Sequence, residues 1–330
     1  MTLDILTLGE LLIDMFPAEV GRGMVEVSAF RPKPGGAPAN VAVAAARLGA
    51  QTGFIGKVGE DIFGHYLEQV LATEGVDTSG LRFDSEARTT LVFIALPDEN
   101  TAEFVFYRNP GADMLLSPEE LDYGLLATTR CLHFGSLSLI VEPSGSATRA
   151  AVEAARQAGA LVSFDVNYRP TLWQSTPGAL QRVREIIPTV DLIKVNETEL
   201  RILSGQDALG PGAGALLAMG PKLCVITLGQ NGSYYQTREG GEFVPAFRVR
   251  AVDATGCGDA FIAGLLTRLV LDGKLLEDLS PQRLGAALRF ANAVGALTAQ
   301  ALGVIPALPN AQQVEDFLGR VETSDPSVSG

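Results

Sequence analysis

Short apolar runs alternate along this chain with stretches whose apolar residues recur at helical spacing. The runs fall at 5–8, 52–58, 131–134, 161–165, 191–195 and 223–228. They are short, continuous and rich in Val, Ile, Leu and Phe, as strands buried on both faces are. Between them, 39–48, 63–74, 147–158 and 179–187 carry a helical period. Strand and helix in alternation predict βαβ units, hence an α/β fold with a doubly wound, mostly parallel sheet. The last third turns helical, at 258–272 and 281–300. Two regions break the rhythm. Residues 25–31 and 88–107 read as strands with no helix after them, the second as a hairpin around a polar turn at 98–100. They form either an edge of the main sheet or, as we prefer, a small separate β layer that covers a site.

Composition narrows the function. Hydrophobic residues make up 47% and charged residues 19%, a balance that builds a core. Lys and Arg number 25 against 38 Asp and Glu, a net charge of −13, with no basic cluster. Nucleic acid and anionic membranes are therefore not expected as partners. Three widely spaced cysteines, Cys131, Cys224 and Cys257, fit a reducing compartment better than a disulfide framework. His65 and His133 are the only histidines, too few for a zinc site or a Ser-His-Asp hydrolase. No apolar stretch reaches a membrane span of about 18 residues, and the N-terminus has no basic leader. A soluble cytoplasmic protein is expected. The small, polar residues from 322 to 330 read as a disordered tail.

Phosphate chemistry has to come from unusual motifs. The chain has no GxxxxGK[ST] and no GxGxxG after its first strand, and Gly210-Pro-Gly-Ala-Gly214 reads as a loop before a helix. Asp253-Ala-Thr-Gly-Cys-Gly-Asp259 precedes an apolar helix. Two glycines there let backbone N–H groups converge on one point beside the positive end of a helix dipole, an anion hole. A carboxylate in that position, Asp259, serves either as a general base toward a hydroxyl that attacks a phosphoryl group or simply as a helix cap. Pro34-Gly-Gly-Ala-Pro-Ala-Asn40 is a second loop-to-helix junction that brings backbone close to a ligand.

Together these segments resemble the two signatures of the PfkB/ribokinase-like carbohydrate kinases. Gly35-Gly36-x-x-x-Asn40 with Gly49 and Gly59 matches the first, and Asp253-x-Thr-Gly-x-Gly-Asp259 the second. The resemblance runs from about residue 3 to about 310. Within the family, Pro34–Ala42, Phe106–Leu116, Asp165-Val-Asn-Tyr-Arg169 and Gly303–Pro309 are most similar to fructokinase segments. The resemblance implies a single ribokinase-like domain over 1–320, a β lid from about 15–34 and 86–110, and a tail at 321–330. It implies an ATP-dependent sugar kinase, chiefly a fructokinase making fructose 6-phosphate. The alternatives are a 2-keto-3-deoxygluconate kinase or ribokinase, or a catalytically silent sugar-binding sensor.

By the same resemblance, Asp259 is the base, and the amides of Gly256, Cys257 and Gly258 take up the transferring phosphoryl group. Asp14, Gly35, Gly36, Asn40 and a lid ring, Phe104 or Phe106, meet the sugar. Asp165, Asn167 and Arg169 lie between sugar and triphosphate, with Arg169 pairing with phosphate oxygens. Asn196 and Glu199 form the family's NxxE, Glu199 holding Mg²⁺ through water. As bare sequence, that stretch equally reads as a capped helix start. Thr227, Gly229, Gly232 and Asn292 line the ATP side. Asp253 and Thr255 fit a K⁺ ion beside the anion hole. A homodimer through the lid fits the resemblance too. Cys257 stands where the family usually has Ala. Its place near a helix N-terminus suggests a lowered pKa and sensitivity to alkylation.

Overall fold

The continuous apolar runs become the strands of one nine-stranded sheet. The computed structural model describes residues 2–98, 103–175 and 178–324. In chain order the strands of these residues are β1 Ile5–Leu8, β2 Leu12–Pro17, β3 Phe30–Gly35, β4 Thr52–Gly59, β5 Asp77–Asp84, β6 Leu91–Ala95 and β7 Glu103–Tyr107. There follow β8 Cys131–Gly135, β9 Leu161–Asp165, β10 Leu192–Asn196, β11 Leu223–Thr227, β12 Gly232–Gln236 and β13 Gly241–Pro245. The large sheet runs β13-β12-β11-β10-β9-β8-β1-β4-β5. From β5 to β11 every pairing is parallel, and β12 and β13 close one edge antiparallel.

Helices cover both faces, as parallel crossovers require. One face packs against Ala37–Arg47, Cys257–Leu271 and Pro281–Thr298, the other against Ser144–Gln157, Ala179–Ile186 and Leu209–Leu217. The central strands β1, β4, β8 and β9 are buried along their whole length. The chain leaves β1 toward β4 on one side, and β8 later joins the other side of β1. At such a switch point the crevice at the carboxyl ends of the strands takes the ligand.

The separate β layer is there: a four-stranded sheet in the order β3-β2-β6-β7. Its hairpin β6–β7 is antiparallel, and β2 pairs parallel with β6. The turn expected at 98–100 lies largely outside the described residues. Leu12, Phe16, Val92 and Ile94 form a small core of its own on one face, with Phe106 packed against it.

Several elements differ from expectation. Residues 25–29 are not a strand; the strand begins at Phe30 and runs into the Gly35-Gly36 turn. The polar edge strand β5 and the hairpin β12–β13 escaped the pattern because edge strands carry few apolar residues. The final helix, Ala311–Ser324, runs through the residues expected to open the tail. Among the described residues no helix is long and apolar enough to cross a membrane.

Candidate functional site

A cavity of about 460 Å³ opens at the carboxyl ends of β1, β9, β10 and β11, beneath the small sheet. The lid contributes Leu12, Asp14, Val92, Ile94, Phe104 and Phe106 to its wall. Alternation along β2, β6 and β7 explains why these residues share one face, since side chains two apart project together.

Two helix starts meet in this cavity. Gly36 caps the helix Ala37–Arg47 with φ 110°, a conformation that favours glycine, and a Cβ there would lie 3.1 Å from Leu11 Cα. One turn on, Asn40 is buried and its Nδ2 donates to Asp259 Oδ2 at 2.8 Å. Gly256 caps the helix Cys257–Leu271 with φ 75°, its backbone tight against Val304. Asp259 sits in that helix's first turn. No side chain caps this helix, so the plain capping role for Asp259 does not apply. Gly256 and Gly258 line the cavity with it. Cys257 does not, and its amide donates to the Ala254 carbonyl at 3.3 Å. The glycine turn expected to hold the phosphoryl group thus meets the cavity through Gly256 and Gly258.

The electrostatics are unusual for so small a space. Burial raises Asp259 to about 6, against the Asn40 hydrogen bond. Burial likewise raises Asp14 to about 7, although Arg169 pulls it down. Glu10 is buried on the cavity wall and raised to about 7, again by burial. One Glu10 oxygen accepts from the Ala37 amide at 3.1 Å. Its other oxygen, Asn40 Oδ1 and Asp165 Oδ1 are buried with no partner among the described residues. Those of Glu10 and Asn40 stand at the cavity and are preorganised for ligand hydroxyls.

Asn196 and Glu199 form the capping box that the bare sequence offered. Asn196 Oδ1 accepts from the Glu199 amide at 2.9 Å, and Glu199 Oε2 accepts from the Asn196 amide at 2.7 Å. Glu199 Oε1 accepts from the Tyr168 amide at 2.6 Å. The capping box therefore fixes a buried carboxylate on the cavity wall. Asn167, Arg169, Thr227 and Thr255 also line the cavity. Asn167 holds a strained φ of 44°, which its neighbours must enforce.

Other expected residues stand back. A Cβ on Gly35 would overlap the Asp14 carboxylate, so Gly35 makes room rather than contact. Asp253 lies behind the anion turn, its oxygens accepting from the amides of Thr255 at 2.9 Å and Gly303 at 3.0 Å. Gly229 and Gly232 shape the turn between β11 and β12, outside the cavity wall. Asn292 is buried and donates to the carbonyls of Val244 and Pro245, tying its helix to β13. Cys257 departs most clearly. Burial, then the carboxylates of Asp253 and Asp259, push its thiol up to about 12, against ready thiolate formation. Proximity to a helix N-terminus had suggested the reverse.

The sequence did not single out Glu10 or Lys194, both on the cavity wall. Glu10 stands in Gly9-Glu-Leu-Leu-Ile-Asp14, where a charge amid apolar residues was the available signal. Glu10→Gln is expected to raise the melting temperature, relative to the parent, more at pH 8 than at pH 5. The native Glu10 keeps its proton up to about 7, whereas an exposed Glu loses it near 4.5. Its penalty on the folded state therefore grows as pH rises through that window, reaching on the order of 3 kcal/mol. Glutamine does not titrate. Equal differences in Tm at the two pH values would remove Glu10 from this account.

Comparison with known proteins places these features. The sequence model of the pfkB family carbohydrate kinases matches residues 2–311. Probable fructokinase-2 of Arabidopsis thaliana is 45% identical over 315 residues, 95% of each chain. Fructokinase-2 of Solanum lycopersicum is 45% identical over the same share of both. Among solved structures, the fructokinase from Xylella fastidiosa with bound ATP superposes with a TM-score of 0.88 at 34% identity, over 97% of this chain and 99% of that one. The fructokinase from Vibrio cholerae O395 with fructose, ADP and calcium bound gives 0.85 at 33% identity, over 96% and 99%.

Proposed function

Because the chain belongs to the pfkB family of carbohydrate kinases, we propose that it transfers the terminal phosphoryl group of ATP to D-fructose, giving fructose 6-phosphate. The observation that carries this reading is Asp259. It is a buried carboxylate in the first turn of the helix that follows a glycine turn, on the wall of the cavity beneath the lid. Asn40 occupies one of its oxygens and so aims the other at an incoming hydroxyl. Asp259 takes the proton of that hydroxyl as the new O–P bond forms and ADP departs. The Gly256 and Gly258 amides and the helix dipole take up charge on the phosphoryl oxygens. Asp14, Asn40 and Glu10 receive sugar hydroxyls, and the lid's apolar face excludes water that would otherwise waste ATP.

The cavity also fits a magnesium ion carried by the triphosphate. Glu199 gives both oxygens to backbone amides, which suits contact through retained waters rather than direct ligation. Bound there, Mg²⁺ neutralises phosphate charge. For K⁺, the fit is to a loop: Asp253 clasps the Thr255 and Gly303 amides together behind the anion turn. The lid's other face exposes Val105 and Tyr107, which supports pairing of two chains through their lids. Three free thiols suit the reducing cytoplasm.

The test is ADP release with Mg²⁺-ATP across fructose, 2-keto-3-deoxygluconate, ribose, tagatose and no sugar, in potassium and in sodium buffer. Fructose is expected to give the highest kcat/KM, with potassium raising turnover. Preference for another sugar moves the substrate and leaves Asp259 in place. Sugar binding without ADP release identifies a silent sensor.

A further inference from the structure

Lys194 stands halfway along β10, near the middle of the large sheet, and lines the cavity. The residue is only 6% exposed. Its Nζ donates to Asp165 Oδ2 at 2.8 Å, its one hydrogen bond among the described residues. An ammonium carries three donors, and leaving donors unmet in a buried site is costly. Nζ also lies 3.0 Å from the position a Cβ on Gly258 would take. The charge therefore rests against the glycine turn that borders the cavity. Burial pulls the Lys194 pKa down, but Asp165, Glu199 and Asp259 outweigh it, and the group stays cationic.

A pair that served only to neutralise Asp165 has no need to face a ligand cavity beside an anion turn. We propose that Lys194 is a further catalytic residue, its ammonium donating to oxygens of the phosphoryl group in transfer. This rests on the phosphoryl-transfer reading above. In the step, the fructose oxygen forms the new O–P bond, the bond to the ADP oxygen breaks, and the hydroxyl proton goes to Asp259. Lys194 keeps its protons throughout and supplies charge where negative charge is passed along.

Lys194→Met alone strands a buried Asp165 carboxylate and is liable to unfold the protein. The decisive variant is therefore Asp165→Asn with Lys194→Gln, a neutral pair of similar shape, compared with the parent and with Lys194→Arg. Melting temperature, calorimetric affinity for ADP and for a non-hydrolysable ATP analogue, and kcat are measured on each. The double variant is expected to melt near the parent and to bind ADP as the parent does. It should lose at least about tenfold in affinity for the analogue and about 10²-fold in kcat, while Lys194→Arg, which keeps a cation paired with Asp165, recovers part of both. The proposal is overturned if the double variant turns over like the parent, or if analogue and ADP affinities change equally. If the parent phosphorylates no sugar, the fructose reading fails while the comparison of analogue with ADP still decides Lys194.

Discussion

Asp259→Asn is expected to lower kcat by about 10²–10⁴-fold while the KM for fructose changes little. Asparagine preserves the size of the side chain and can still face Asn40, but it cannot accept the hydroxyl proton. The sugar's other contacts, through Asp14, Gly36, Asn40 and the lid, remain on separate elements. A KM-type loss would instead mean that Asp259 only holds the sugar. The pH profile gives a second reading of the same residue. Burial sets Asp259 near 6, and the base acts only when ionised. Turnover in the parent is therefore present above about pH 6 and falls as pH drops through that value. The Asn variant, measured on its residual rate, should lose this acid limb. Near-parent turnover in the variant would end the base assignment.

The parts legible in the sequence share a physical cause. Strands such as β1 and β9 sit in a parallel sheet covered on both faces, so their whole length is apolar and their position could be read directly. The two glycine junctions were legible because only glycine tolerates the positive φ at Gly36 and Gly256. What escaped depends on distant neighbours. Lys194, inside Leu192-Ile-Lys-Val195, is a charge in a buried strand, and nothing local says that β9 brings Asp165 to meet it. Cys257 shows the same limit. Its sequence neighbours include a helix start, but the fold half-buries the thiol and sets two carboxylates near it, and these win. The resemblance puts Asn292 on the nucleotide side, and its amide also donates to the carbonyls of Val244 and Pro245 in β13, a strand whose pairing the local pattern did not reveal.

Gly35→Ala tests the other end of the site and should act almost wholly through the sugar. Gly35 ends β3 opposite Leu12 of β2, in a backbone conformation open to any residue, so alanine brings no backbone strain there. Its Cβ, however, would fall on the Asp14 carboxylate, with Asp14 Cγ only 2.8 Å away. The side chain of Asp14 must therefore swing aside. Loss of a buried charged acceptor to sugar hydroxyls costs about 1.5–3 kcal/mol, or roughly 10–150-fold in binding. The KM for fructose is expected to rise by that order, with a smaller change in kcat and little change in the affinity for ATP. Asp14→Ala should show the same pattern. Because both changes remove one interaction, the double variant should be no worse than the poorer single one, a strongly non-additive result. Additive losses, or an equal loss of ATP affinity, would mean that Gly35 acts through the anion turn or the helix that follows it, and that Asp14 is not the sugar's partner.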